Sequence, residues 1–172
     1  MIWENDPKED ETMKLNVSAF EAFDKDWALL TAGSVGEGYN TMTISWGGLG
    51  TLWGKPVATV YVKPIRYTHE FLDANEYFTV SFYPEEYKKA LGLLGSRSGR
   101  DGDKVAAAGL TPAALEGAVT FQEAKLTLLC KKIDRQDMDT SAMPAAVVDA
   151  FYTKEAPHTM YIGEVVEILG QP

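Results

Sequence analysis

The chain has 172 residues, 45% hydrophobic and 24% charged, a length and composition that suit one domain with one sizeable core. Sixteen Lys and Arg face 25 Asp and Glu, a net charge of −9, which argues against a nucleic-acid partner because phosphate backbones select clustered positive charge. No apolar run approaches the ~20 residues of a membrane helix, and the acidic opening, residues 1–11, lacks the basic-then-apolar order of a secretory leader. The expectation is a cytoplasmic protein that meets no membrane. The single cysteine, Cys130, excludes an internal disulfide.

Residues 1–17 read as a polar, acidic arm, and residues 18–172 as one domain, with Phe20, Phe23 and Trp27 leading into its core. Residues 27–33 form an apolar run closed by Gly33, the pattern of a buried strand. The glycine density of residues 36–40 marks a turn. A strand is expected over 41–46, broken by the glycines of 47–50, and a β-branched strand over 57–62 closed by Pro64. Thr68 is placed to cap a short helix through Phe71 and Leu72. Residues 77–82 read as a strand, and Pro84 starts a helix from Glu85 to about Leu94. A polar glycine-rich loop over 95–102 precedes a short helix at 104–108. Strand-like alternation over 119–133, a helical stretch over 143–151 and a closing strand over 158–169 with Gly163 at a bulge complete the chain. Short strands dominate and short helices interrupt them, so the fold class is mainly β, a small barrel with helical decorations.

The chemistry-bearing residues exclude several classes. Only His69 and His158 exist, far apart, with no ligand spacing for a metal. There is no nucleophile elbow, no Walker loop and no dinucleotide fingerprint. Much of the positive charge lies between Lys55 and Lys104, in Arg66, Lys88, Lys89, Arg97 and Arg100, which suits a small anion as well as a solvated face. Arg66, Tyr67 and Thr68 place a guanidinium, a ring and a hydroxyl at a helix start, where free backbone donors favour phosphate. The string 96–104 adds Ser96, Lys104 and glycines, Gly99 among them, that let backbone approach a ligand. Residues Asn40, Thr41, Met42, Thr43, Ser45 and Trp46 supply an amide, hydroxyls, a thioether and a flat ring. Each has a plainer reading: an ion pair for Arg66, an ordinary turn for the 96–104 loop, the core for Met42 and Trp46, a surface or capping role for His158. Cys130 reads as an inert core thiol.

In order, these strings resemble the flavin-reductase-like, FMN-binding split-barrel proteins, the flavoredoxin branch in particular. Residues 40–46 resemble the first signature, and 62–68, followed by the Phe78-Thr-Val-Ser81 strand, the second. Residues 96–104 resemble the serine-glycine to lysine loop, and 158–165 the closing strand. The resemblance implies a six-stranded split β-barrel, a homodimer and one FMN per subunit. It places Asn40, Thr41, Met42, Thr43, Ser45 and Trp46 along the ring and ribityl chain. Arg66, Tyr67, Thr68, Ser96, Gly99 and Lys104 fall near the phosphate, and Trp46 and His158 border the ring or the substrate pocket. It further implies that the flavin does the chemistry, with no catalytic dyad and no metal. The first reading is hydride transfer from NAD(P)H to flavin. The second is an electron carrier that receives electrons from a redox protein and keeps its FMN, and the third is a non-catalytic ligand-binding barrel. The 134–156 segment and the arm match no motif; both are candidates for dimer contacts or a partner-specific lid.

Overall fold

The computed structural model describes residues 13–170; the first twelve residues, which carry the acidic part of the arm, lie outside it. In chain order the elements are α1 (Glu21–Asp24), β1 (Ala28–Ser34), β2 (Gly38–Ile44), β3 (Gly47–Leu52), β4 (Lys55–Val62), α2 (Tyr67–Ala74), β5 (Tyr77–Phe82), α3 (Lys88–Ser96), α4 (Lys104–Ala108), β6 (Pro112–Leu115), β7 (Ala118–Phe121), β8 (Leu126–Asp137), α5 (Ala145–Phe151) and β9 (Thr159–Gly170). Seven strands form one sheet in the order β2-β1-β5-β8-β9-β4-β3, antiparallel at every pairing, and β6 and β7 form a separate hairpin.

β2 and β3 occupy opposite edges of that sheet, yet only Ser45 and Trp46 separate them in sequence. Laid flat, the sheet would part its edges by about 29 Å at the usual strand spacing, far beyond what a two-residue link spans. The sheet is therefore rolled into a barrel whose two edge strands meet without pairing.

Two apolar clusters flank this wall. The barrel interior holds Phe23, Leu30, Ile44, Val60, Phe78, Val80, Leu128, Cys130 and Tyr161; outside it, Leu29 meets Tyr83, Leu91, Leu94, Val105 and Phe121 under α3, α4 and β7. β1 is buried on both faces, which is why its sequence is a continuous apolar run rather than an alternating one. Cys130 is fully buried, and burial pushes its thiol pKa well up.

Several expectations need correction. The glycines of 47–50 do not break the chain but form β3, because Gly47 leaves room for Phe23: a Cβ there would sit 2.6 Å from its ring. The strands number nine rather than six among the described residues, since β3, β6 and the separation of β7 from β8 carry weak or no alternation. Residues Glu85–Tyr87 are a 3-10 turn and α3 extends to Ser96, taking Gly95 and Ser96 out of the expected loop. Thr68 lies inside α2, buried, and Arg66 holds the N-cap position with no side-chain cap. Phe20 is 89% exposed, whereas Phe23 is core and Leu15 and Val17 of the arm pack against the barrel. Gly163 does lie at a bulge, though the extra residue there is Ile133 on β8, and a second bulge leaves Val166 extra on β9.

Gly163 serves close packing, since a Cβ there would lie 2.6 Å from Phe78 and 2.7 Å from Cys130 Cβ. Gly163→Ala is expected to destabilise the barrel by about 1–3 kcal/mol through overpacking, read as a lower urea midpoint with an unchanged slope.

Candidate functional site

One hydrogen-bonding edge of β2 pairs with β1, while the other has no strand partner. A cleft runs along it. Asn40, Met42 and Ile44 come from one face of the strand and Thr43 from the other, and all of them line the cleft, as happens when space follows a strand's edge rather than a face. Unpaired edge N–H and C=O groups need partners, so this edge offers a ladder of main-chain donors and acceptors to a planar molecule. Two lobes of about 350 and about 300 Å³ meet at Met42 and Arg66, within the usual range of ligand sites.

The larger lobe, the anion lobe, is lined mainly by cations and hydroxyls. Arg66 precedes α2, whose N-terminus has no side-chain cap, and its guanidinium donates to Gly95 O at 2.9 Å. Gly95 lies against Thr43, 3.2 Å from Thr43 Cβ to a would-be Cβ, so the end of α3 approaches β2 closely enough for that contact. Lys104, 6% exposed, donates to Leu94 O and Arg97 O at 3.0 Å each. Among the described residues neither Arg66 nor Lys104 has an ion-pair partner, so both keep their charge for a ligand. Ile65, Ser96, Arg97, Ser98 and Arg100 add to the wall, together with one carboxylate, Glu155, which is paired with Lys63. Arg100 stacks over Tyr67 at 4.6 Å and pairs with Glu70. Asn40 Nδ2 donates to Thr68 Oγ1 at 2.8 Å, tying β2 to α2. Gly99 packs against Asn40 with no room for a side chain.

The smaller lobe, the ring lobe, is lined by flat side chains, Trp46, Tyr61 and His158 among them. Trp46, 45% exposed, stands beside Phe151 and His158, each with its ring centroid at 5.3 Å. His158 is 9% exposed and its Nδ1 lies 2.8 Å from Tyr152 Oη. Burial and then the charge of Lys63 lower the His158 pKa, opposed by Glu155. Lys63 itself reaches Glu155 at 2.9 Å and Phe151 O at 3.1 Å, fastening the segment after α5 to the rim.

Of the residues expected at a ligand, Asn40, Met42, Arg66, Tyr67, Thr68, Ser96, Gly99 and Lys104 line the anion lobe, and Thr43, Ser45, Trp46 and His158 the ring lobe. Thr41 is the exception: fully buried, it bonds Thr31 at 2.7 Å and lines neither lobe, its side chain held against β1 although Thr43 on the same face reaches the cleft. Thr43 borders the cleft, but its hydroxyl is committed to Leu91 O at 2.5 Å. Sequence reasoning overlooked Lys63, Arg97 and Ser98 as wall residues, although they stand inside strings already singled out, and Tyr61, whose alternating strand gave no signal of function. It had no means of finding Phe151, Tyr152 and Glu155, which come from a segment without a motif and reach the site only through the fold.

Residues 20–171 match the family model of the flavin reductase like domain. The chain belongs to this family. No curated protein sequence matches it significantly. Among solved structures, this flavin reductase-like chain is similar to an FMN-binding protein from Thermus thermophilus with bound p-hydroxybenzaldehyde (20% identity, TM-score 0.67, covering 93% of this chain and 80% of that one). It is similar also to a split-barrel-domain protein from Shewanella frigidimarina NCIMB 400 (18%, 0.68, 86% and 67%) and to flavoredoxin of Desulfovibrio vulgaris (Miyazaki F) (22%, 0.67, 92% and 77%). The fold is thus the split barrel, and the family read from the ordered strings is the one the whole domain matches. Among the described residues no helix is long and apolar enough to cross a membrane.

Burial, and then the neighbouring Arg66, lower the Lys104 pKa from 10.5 to about 8. A phosphate monoester is fully charged by then, so as pH rises through about 8 the cleft loses one cation and its phosphate affinity should drop roughly tenfold. Apo-state stability should move the other way, rising with pH between about 8 and 10.5, because there the unfolded chain binds more protons. Calorimetric titration with a simple phosphate monoester on both sides of pH 8 checks this, and Lys104→Met should abolish the step.

Proposed function

We propose that the cleft holds FMN and that the protein is an oxidoreductase passing electrons through it. One observation carries this reading: a carboxylate-poor cationic lobe and a flat aromatic lobe meet at Arg66 along an unpaired strand edge. In this reading Arg66, Ser96 and Lys104, with the backbone at Tyr67, Thr68 and Gly99, take the phosphate. The 40–45 edge takes the ribityl chain and the pyrimidine rim through main-chain groups, and Trp46 borders the ring. Thr41 contributes only by holding β2 to β1. The anion lobe fits a phosphate by charge and the edge fits a heterocycle with alternating donors and acceptors.

Bound flavin supplies the hydride and single-electron chemistry. The residues of this chain bind it, orient it and place positive charge where reduction makes the ring negative. The activity proposed first is reduction of flavin by NADH or NADPH, the donor entering over the ring from the open side by Trp46 and His158. A flavoredoxin-type carrier is the second reading, favoured by Trp46 and Phe151, 45% and 47% exposed at the cleft mouth, an apolar rim suited to a redox-protein partner. The proposal includes a homodimer working in the cytoplasm.

An absorbance scan after FMN soaking should give a flavin spectrum; a colourless protein would favour a non-catalytic barrel. Steady oxidation of NADH or NADPH with excess flavin identifies a reductase, and negligible turnover a carrier. Arg66→Ala combined with Lys104→Ala should weaken FMN binding by roughly 100-fold or more, from two charge-assisted contacts of about 1.5–3 kcal/mol each, measured by flavin fluorescence with the far-UV spectrum unchanged. Unaltered affinity would remove both from the phosphate. Trp46→Ala should shift the flavin spectrum or its reduction rate.

A further inference from the structure

The segment after α5 matches no motif, yet it reaches the ring lobe at one atom. Tyr152 ends α5, its N–H donating to Val148 O at 2.9 Å. The Lys63 ammonium lies 5.7 Å from its ring centroid while bonding Phe151 O and Glu155 on either side of it in sequence. Its hydroxyl is thereby fixed 2.8 Å from His158 Nδ1. His158 lines the ring lobe. Its Nε2 has no hydrogen-bond partner among the described residues and is not sealed from solvent.

We propose that Tyr152 is a positioning residue, holding His158 in the Nε2–H tautomer so that the ring lobe presents a hydrogen-bond donor to a carbonyl of its planar ligand. A phenol is a stronger donor than acceptor, and a neutral imidazole nitrogen is a good acceptor. The Tyr152 O–H therefore donates to Nδ1, and the ring proton sits on Nε2, since the partner of one nitrogen sets the state of the other. Burial and the nearby Lys63 keep the imidazole neutral, so it offers one donor rather than a second buried cation. Trp46, 5.3 Å from the imidazole, supplies the apolar surface beside that donor. Carbonyl oxygens occur both on a flavin's pyrimidine rim and on a nicotinamide amide. The assignment of the ligand rests on the flavin reading above, whereas the tautomer does not.

The test is long-range proton–nitrogen correlation NMR of 15N-labelled protein at neutral pH, wild type and Tyr152→Phe, without ligand, with FMN, and with FMN plus NADH or NADPH under anaerobic conditions. Wild type should show a pyrrole-type Nε2 and a pyridine-type Nδ1 for His158, and Tyr152→Phe a mixed or inverted pair. The Nε2–H resonance should move on adding FMN if the flavin rim is the acceptor, or only on adding the nicotinamide if its amide is. The affinity of that ligand should fall roughly threefold to tenfold in Tyr152→Phe. An Nδ1–H tautomer in wild type overturns the proposal without any variant, as does a Tyr152→Phe protein with the wild-type tautomer. An Nε2–H resonance unmoved by ligands that demonstrably bind overturns the contact. Protein that binds no flavin at all refutes the flavin reading, and the tautomer still decides the role of Tyr152.

Discussion

The molecule is organised by a link too short for the sheet it closes. Two residues, Ser45 and Trp46, join strands at opposite edges of a seven-stranded sheet, so the sheet has to curl, and the curl brings two edges together without letting them pair. An ordinary barrel would satisfy those main-chain groups with a further ladder. Here the free edge of β2 becomes the long wall of a cleft, and its donors and acceptors are left without a strand partner. Trp46 stands at the cleft for the same reason, since it is half of the link.

What surrounds that edge is fixed by packing on both sides of the wall. The inner cluster sets the barrel's radius around Phe78, Tyr161 and Gly163, the glycine against which Phe78 packs. The outer cluster anchors α3 through Leu91 and Leu94 on the back of β1 and β2. The Thr43 hydroxyl and Gly95 draw the end of α3 onto β2, and Arg66 and Lys104 are then held by the carbonyls that this helix end leaves unsatisfied. Cleft geometry and helix docking are one arrangement, not two.

Carbonyl anchoring also reconciles a strongly acidic chain with a cationic cleft. Carboxylates would neutralise Arg66 and Lys104; carbonyl dipoles orient them and leave their charge intact. The carboxylate that lines the larger lobe, Glu155, is engaged with Lys63, and Glu70 with Arg100. The cost appears in the lowered pKa of Lys104, a cation kept out of water beside another cation, which an arriving anion would relieve.

Side-chain pattern alone sufficed for the strands where that pattern is strong, such as β4 and β5. Legible in the sequence too were the closing strand, the buried Cys130, the family, and the strings that line the cleft. Local pattern reaches that far because burial on one or both faces writes directly into hydrophobic periodicity. Only the folded chain settled that residues 47–50 make a strand, since Gly47 accommodates Phe23, distant in sequence. Only it turned Thr41 away from the cleft and Trp46 toward it, because exposure depends on which edge the roll leaves open. And only it brought Tyr152 to His158, two residues with no shared motif, joined because Lys63, just past β4, fastens the intervening loop over the site.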